Sequence, residues 1–186
     1  MSLPPVEERI PPFLDEEEVK TLIDNITNLR DQCIVALLYD AALRRGELVA
    51  LNCEDVNLKE KTITIRRRKG GFWPHALPLS EETIKILRRY LKIRKCKRGE
   101  PLFTNDIGER LSPSTIYDIV KRWSRRILGK HVHPHQLRHA CAIALRKHGL
   151  SLDTLADFLG HKSLNTTRRY ARLVPTDLKK QLPERV

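Results

Sequence analysis

The sequence has 186 residues, 40% hydrophobic and 31% charged, which suits one large domain or two small ones with a real core. This balance excludes a membrane-embedded or disordered chain, and no run of about 18 apolar residues occurs. The formal net charge of +12 is uneven: residues 1–60 hold 6 basic and 13 acidic side chains, a net of −7, and residues 61–186 hold 29 and 10, a net of +19.

A basic surplus of that size points to a polyanion, most simply nucleic acid, although charge alone does not separate DNA from RNA or from an anionic membrane surface. The start of the chain, Met1-Ser2-Leu3-Pro4-Pro5 with Glu7 and Glu8 behind it, does not read as a signal peptide. Cys33, Cys53, Cys96 and Cys141 are widely spaced with no CxxC pair. The expectation is therefore reduced cytosolic thiols, not a disulfide framework or a zinc knuckle.

In chain order, residues 1–13 contain Pro4, Pro5, Pro11 and Pro12 and read as an extended lead-in. Asp15 starts a helix, with Glu18 in capping-box position and Val19, Leu22, Ile23 and Ile26 at helical spacing. Asp31 opens a second helix whose Ile34, Val35, Leu37 and Leu38 cover most of its girth, marking it as central to the core. A short helix over 47–51 follows. Residues 56–58 and 62–65 alternate as a hairpin about Lys59-Glu60-Lys61, and 75–79 returns as a third strand after Gly70-Gly71.

Ser80 caps a helix to about residue 93. Ser112 caps another, with Pro113 at its first position and Ile116, Ile119, Val120 and Trp123 on one face. Pro134 opens a helix reaching His148, stopped by Gly149. Ser151 and Ser163 cap short helices over about 152–159 and 164–172, and a last one follows Thr176. The fold class is mainly α with a small three-stranded antiparallel β-sheet, an α+β arrangement.

Four stretches could carry chemistry. His135, Arg138, His139 and Ala142 share one helical face, and His135 lies in the first turn, where free N–H groups favour an anion. A phosphate site fits these residues. A zinc pair would use the same His135/His139 spacing, but no Cys or carboxylate follows in ligand pattern and Arg138 opposes a cation. A solvated or internally satisfied histidine cluster is the plainer alternative. His161, after Leu159-Gly160, sits on a corner between two helices and reads equally as a helix-capping histidine. Tyr170, behind Thr166-Thr167-Arg168-Arg169, reads by itself as a packing residue. Arg44 and Arg45 end an apolar helix and could simply complement its dipole. The run Arg66-Arg67-Arg68-Lys69 could be a solvated turn or a backbone contact to a polyanion.

Taken together and in order, Ala42-Leu43-Arg44-Arg45-Gly46-Glu47-Leu48, Lys69 ahead of Leu77-Pro78-Leu79, His135-x-x-Arg138-His139, Leu159-Gly160-His161 and Thr166-Thr167-x-x-Tyr170 resemble the catalytic domain of the tyrosine recombinase family (phage integrase, Xer-like). The resemblance runs from about residue 13 to residue 173, with residues 14–173 as the catalytic domain. It implies the DNA breaking-rejoining fold and site-specific recombination or integration through a 3′-phosphotyrosine, with no metal, nucleotide or other cofactor. By the same resemblance Tyr170 is the nucleophile, Arg44 and Arg138 bind the phosphate, and His135 accepts the tyrosine proton. His161 donates a hydrogen bond to the phosphate, and Lys69 protonates the leaving 5′ hydroxyl. Glu47 orients its neighbours and His139 supports the site.

Arg44 is preferred over Arg45 because the family arginine directly follows the Gly/Ala-Leu pair. Around Lys69 the turn is one residue longer than the commoner Gly-Lys-Gly form, which leaves Arg68 as a substitute, although arginine is a poor proton donor. Arg45, Arg66, Arg67, Arg68, Arg168 and Arg169 are the expected contacts to double-stranded DNA.

Family members usually carry a helical core-binding domain ahead of the catalytic one. Here about 13 residues precede it, as in a piece of a longer chain or a minimal member that relies on a partner. Residues 174–186, with Leu178 and Leu182 as an apolar pair, could pack on a neighbouring subunit in a DNA-bound tetramer, although two leucines also suffice to dock the tail on its own domain. The implied location is the cytoplasm, with the nucleoid. Two other readings use the same residues: a noncatalytic DNA-binding regulatory module, and type IB topoisomerase-like relaxation.

Overall fold

The computed structural model describes residues 13–66 and 75–160. Seven helices among these are α1 (Glu16–Asp24), α2 (Leu29–Asp40), α3 (Arg45–Val49), α4 (Glu81–Arg94), α5 (Pro113–Leu128), α6 (Pro134–Lys147) and α7 (Leu152–Leu159). Between α3 and α4 lie a short 3₁₀ turn (Cys53–Asp55) and strands β1 (Val56–Asn57), β2 (Thr62–Ile65) and β3 (His75–Pro78). The sheet is antiparallel in the order β1-β2-β3, with Ile63 opposite Leu77. Its buried face is formed by Ile63, Ile65 and Leu77, the alternation expected of a sheet covered on one side.

The helix starts follow their capping side chains. Asp15 accepts from the Glu18 amide at 2.7 Å while Glu18 reaches back to the Asp15 amide at 3.2 Å. Ser80, Ser112 and Ser151 accept from Thr83, Thr115 and Thr154 respectively. The second helix starts earlier than the sequence suggests. Asn28 caps it by accepting from the Asp31 amide at 3.0 Å, so Asp31 falls within the first turn. There the fully buried Asp31 carboxylate receives Arg30, Arg122 at 2.8 Å and the Trp123 indole at 2.9 Å, joining α2 to α5.

α2 is the central helix, buried on nearly every side and packed against α4 and α6. α1 and α3 cover α5, and α7 closes on α6. A smaller apolar cluster of Ala42, Cys141, Ala142, Ile143, Leu155 and Leu159 fixes α6 and α7 around the end of α2. Among the described residues no helix is long and apolar enough to cross a membrane.

The cysteine expectation needs correction. Cys53 and Cys96 form a disulfide across 43 residues, with Cα atoms 6.1 Å apart. The reason is tertiary. Residues 97–101 fold back along 51–54, where the Cys53 amide donates to the Glu100 carbonyl, the Gly99 amide donates to Glu54, and Asn52 bridges Pro101. Sequence spacing carries no trace of that pairing. Cys33 and Cys141 are buried free thiols, and burial pushes the Cys33 thiol well above its ordinary value.

Candidate active site

Arg44 ends the turn that leaves α2. Ala41, Ala42 and Leu43 are buried there, and Ala42 has a left-handed backbone with φ of 48°. Arg44 then takes the N-cap position of α3 with an extended backbone. Its amide donates to Glu47 Oε2 at 2.9 Å, and its Nη1 lies 3.3 Å from Glu47 Oε1. The Glu47 side chain is 6% exposed and the Arg44 side chain 40%. Glu47 is thus a sheltered anchor that holds the Arg44 amide and one terminal nitrogen of its guanidinium, while part of that side chain stays open to solvent.

Arg138 comes from the opposite side, on α6, and is only 3% exposed. Its Nη1 donates to the Ala42 carbonyl and its Nη2 to the Leu159 carbonyl at 2.6 Å. Buried guanidinium groups need such acceptors, and bonds from a charged donor are the stronger kind. Ala42 lies two residues before Arg44, and Leu159 two before His161. One side chain therefore fixes the approach to both positions. α7 ends at Gly160 in a left-handed conformation with φ of 64°, which glycine adopts without a Cβ penalty.

His135 and His139 stand one turn apart on α6, their rings edge to face with centroids 4.4 Å apart. His135 is exposed and His139 half-buried, while Arg138 and Ala142 on the same face turn inward. The shared face read from the sequence is therefore present, graded from solvent to core. Among the described residues no three His, Cys, Asp or Glu side chains converge in a way that could hold a metal ion.

Arg66 leaves the end of β2 and is already engaged. Its Nε donates to the buried Asp55 carboxylate and its Nη2 lies 3.6 Å from Glu54, yet 54% of its side chain remains exposed. The hydrogen bond to Asp55 is the main reason its guanidinium is held above the ordinary value. A cavity of about 410 Å³ runs between this pair and the Arg44 anchor, lined by Glu47, Asn52, Asp55, Arg66 and Arg110 among others. Arg110 closes one wall, donating to the Val49 carbonyl at 2.7 Å and to Asn52 at 2.7 Å.

Lys69, Arg67 and Arg68, and likewise His161, Arg168, Arg169 and Tyr170, lie outside the described residues. The structure brings together Arg44, Glu47, Arg138 and the approach to His161, with His135 and His139 on the same helix as Arg138. Sequence reading missed Asp55 and Arg110, both recognisable only once 51–55 and 66 are neighbours in space. It also missed a stack in which Arg45 covers the Tyr117 ring at 5.8 Å and Tyr117 stacks on His133, with centroids 5.3 Å apart. Tyr117 gave no signal beyond an aromatic residue on an amphipathic helix.

The sequence profile of the Phage integrase family matches residues 12–176. Tyrosine recombinase XerA of Pyrococcus horikoshii is 35% identical over 182 residues, covering 96% of this chain and 63% of the relative. Tyrosine recombinase XerC of Alcanivorax borkumensis is 35% identical over 176 residues, covering 89% and 57%. A crystal structure of XerA recombinase matches with a TM-score of 0.80 at 31% identity, over 90% of this chain and 62% of that one. XerH site-specific recombinase, bound to difH substrate in a pre-cleavage complex, matches with a TM-score of 0.72 at 26% identity, over 87% and 50%. The chain thus spans less than two thirds of the length of these relatives.

Proposed function

The chain belongs to the phage integrase family, and from that premise we propose that residues 14–173 are the catalytic domain of a site-specific tyrosine recombinase acting on double-stranded DNA. The observation that carries the reading is the buried Arg138 guanidinium, bonded at once to the carbonyls that lead into Arg44 and toward His161.

In the proposed reaction the Tyr170 hydroxyl oxygen attacks a backbone phosphorus. An oxygen–phosphorus bond forms, the bond from phosphorus to the 5′ oxygen breaks, and a 3′-phosphotyrosine results. A phenol with pKa about 10 is ionised in only about one molecule in a thousand near neutrality, so its proton must be taken as it attacks. His135, exposed on α6, is the proposed acceptor. Lys69 gives a proton to the departing 5′ oxygen. Arg44 and Arg138 neutralise the charge that grows on the nonbridging oxygens, aided by a hydrogen bond from His161. Attack by a second 5′ hydroxyl on the phosphotyrosine reverses these transfers and rejoins a strand, so the phosphodiester energy is conserved.

Glu47 keeps Arg44 aimed, and His139 supports His135 from one turn away. Arg45, Arg66, Arg67, Arg68, Arg168 and Arg169 contact the DNA backbone. Residues 1–13 serve as a lead-in, and residues 174–186 reach a neighbouring subunit in a tetramer assembled on the recombination site. The proposed setting is the cytoplasm.

The test is to incubate the protein with genomic DNA fragments in EDTA, quench with SDS and recover covalently bound DNA beside a Tyr170→Phe control. Adducts that vanish in the control support the reading. Binding without adducts under these conditions contradicts it.

A further inference from the structure

We propose that Arg45, Tyr117 and His133 form a built contact for a DNA backbone phosphate flanking the one that reacts. The inference rests on the strand-cleaving reading above and adds two residues that sequence did not single out.

The three side chains come from three elements: Arg45 is the first residue of α3, Tyr117 lies in α5, and His133 is the N-cap of α6. The Tyr117 and His133 rings are nearly parallel at 16°, with centroids 5.3 Å apart, and the Arg45 guanidinium covers the Tyr117 ring at 5.8 Å. Each end of the stack adjoins the candidate site in sequence: Arg45 follows Arg44, and His133 precedes His135 by two. Arg45 and His133 are exposed and Tyr117 is half-buried, so the stack is rooted in the fold and open to solvent at its edges.

The state of the guanidinium carries the argument. Arg44 and Arg66 are bonded to carboxylates, while Arg110 and Arg138 are bonded to carbonyls. Among the described residues the Arg45 side chain has neither a hydrogen bond nor an ion pair. Among the same residues its one recorded partner is the ring face beneath it. A cation over a ring face spends no hydrogen bond on it, so the five N–H donors of the guanidinium stay available to an anion. A cation fixed in this way, with its donors unspent and one residue from Arg44, matches a phosphate with two oxygens to offer. His133 completes the support, because the Tyr117 ring beneath the arginine is itself stacked on a second ring.

Binding to a short fluorescent mixed-sequence duplex tests this, measured in the full chain carrying Tyr170→Phe so that no covalent step contributes. Arg45→Ala is expected to weaken binding about fivefold near physiological salt and to lower the slope of log affinity against log salt by about 0.9, the signature of one lost phosphate contact. Tyr117→Ala should give a similar loss that is not added to that of Arg45→Ala in the double variant, and Tyr117→Phe should recover binding by restoring the ring face. Unchanged affinity and slope in Arg45→Ala would overturn the proposal. So would additive losses for Arg45→Ala and Tyr117→Ala, or a loss confined to duplexes with guanine at one position, which would make Arg45 a base reader. Because this readout involves no cleavage, its failure is distinct from failure to form the phosphotyrosine.

Discussion

Arg138 and Ala42 lie 96 positions apart and are joined by a hydrogen bond from the Arg138 guanidinium to the Ala42 carbonyl. The second arm of the same guanidinium takes the Leu159 carbonyl. The arginine proposed to bind the phosphate is thereby also the tie that holds together the three chain segments carrying Arg44, His135 and the run toward His161. In the proposed reaction, chemistry and local stability share one side chain.

Arg138→Lys therefore affects both. Lysine keeps the charge but offers a point donor in place of a planar fork, so it serves at most one of the two carbonyls well. Each buried acceptor left without a partner costs about 1–3 kcal/mol. The expected result is a lower midpoint of urea unfolding with little change in its slope, together with a loss of strand cleavage measured well below the unfolding transition. Unfolding stability equal to the parent would show that the clamp contributes nothing.

Glu47→Gln separates aim from affinity. The substitution keeps the shape and a hydrogen-bonding oxygen but removes the charge facing Arg44. Hydrogen bonds to charged groups contribute about 1.5–3 kcal/mol, so a single-turnover cleavage rate lower by about tenfold or more is expected. Equilibrium binding of DNA should move far less, because the open face of Arg44 keeps its charge. Equal losses in rate and binding would assign Glu47 to general folding.

Thiol labelling checks the cysteine arrangement. Cys33 and Cys141 are buried, and Cys53 and Cys96 are joined. The native protein should resist a thiol reagent at all four positions, and the unfolded, unreduced protein should take up label at Cys33 and Cys141 alone. Closing a loop of 43 residues is worth roughly 4 kcal/mol in the chain-entropy account, so reduction should lower stability by a few kcal/mol at most. Label on Cys53 or Cys96 before reduction would contradict the bridge.

Acid should loosen the strap around that bridge. The Gly99 amide, first among its causes, holds the Glu54 carboxyl below its ordinary value of 4.5. A carboxyl depressed in the folded state contributes stability above its unfolded pKa, and that contribution fades as pH falls through the folded value. Exchange of the Gly99 amide should therefore accelerate as pH drops below about 4.5, after correction for intrinsic rates. Glu54→Gln should remove this pH dependence. An unaltered profile in the variant would place the dependence elsewhere.

Much of the fold was legible because it is written in local code. Asp15, Ser80, Ser112 and Ser151 each cap the helix their position announces, Pro113 and Pro134 open helices, and the alternation of Ile63, Ile65 and Leu77 gives the sheet its buried face. What was not legible depends on tertiary approach. Asn28 takes the cap from Asp31 because the Asp31 carboxylate is needed by Arg122 and Trp123, more than 90 residues away. The Cys53–Cys96 bridge and the Arg45–Tyr117–His133 stack arise in the same way. At the site, residue types and order pointed to Arg44, Glu47, His135 and Arg138, whereas their mutual support through Ala42 and Leu159 is a property of backbone carbonyls, on which side-chain identity is silent.

The central claim is that Tyr170 becomes covalently joined to DNA, and mass spectrometry of the trapped adduct tests it most directly. Adducts formed in EDTA would be treated with nuclease and protease, and the peptide carrying a nucleotide 3′-phosphate identified. The account predicts that this modification sits on Tyr170 within the sequence Thr166-Thr167-Arg168-Arg169-Tyr170. A nucleotide attached to any other residue, or the same adduct in Tyr170→Phe, would contradict it.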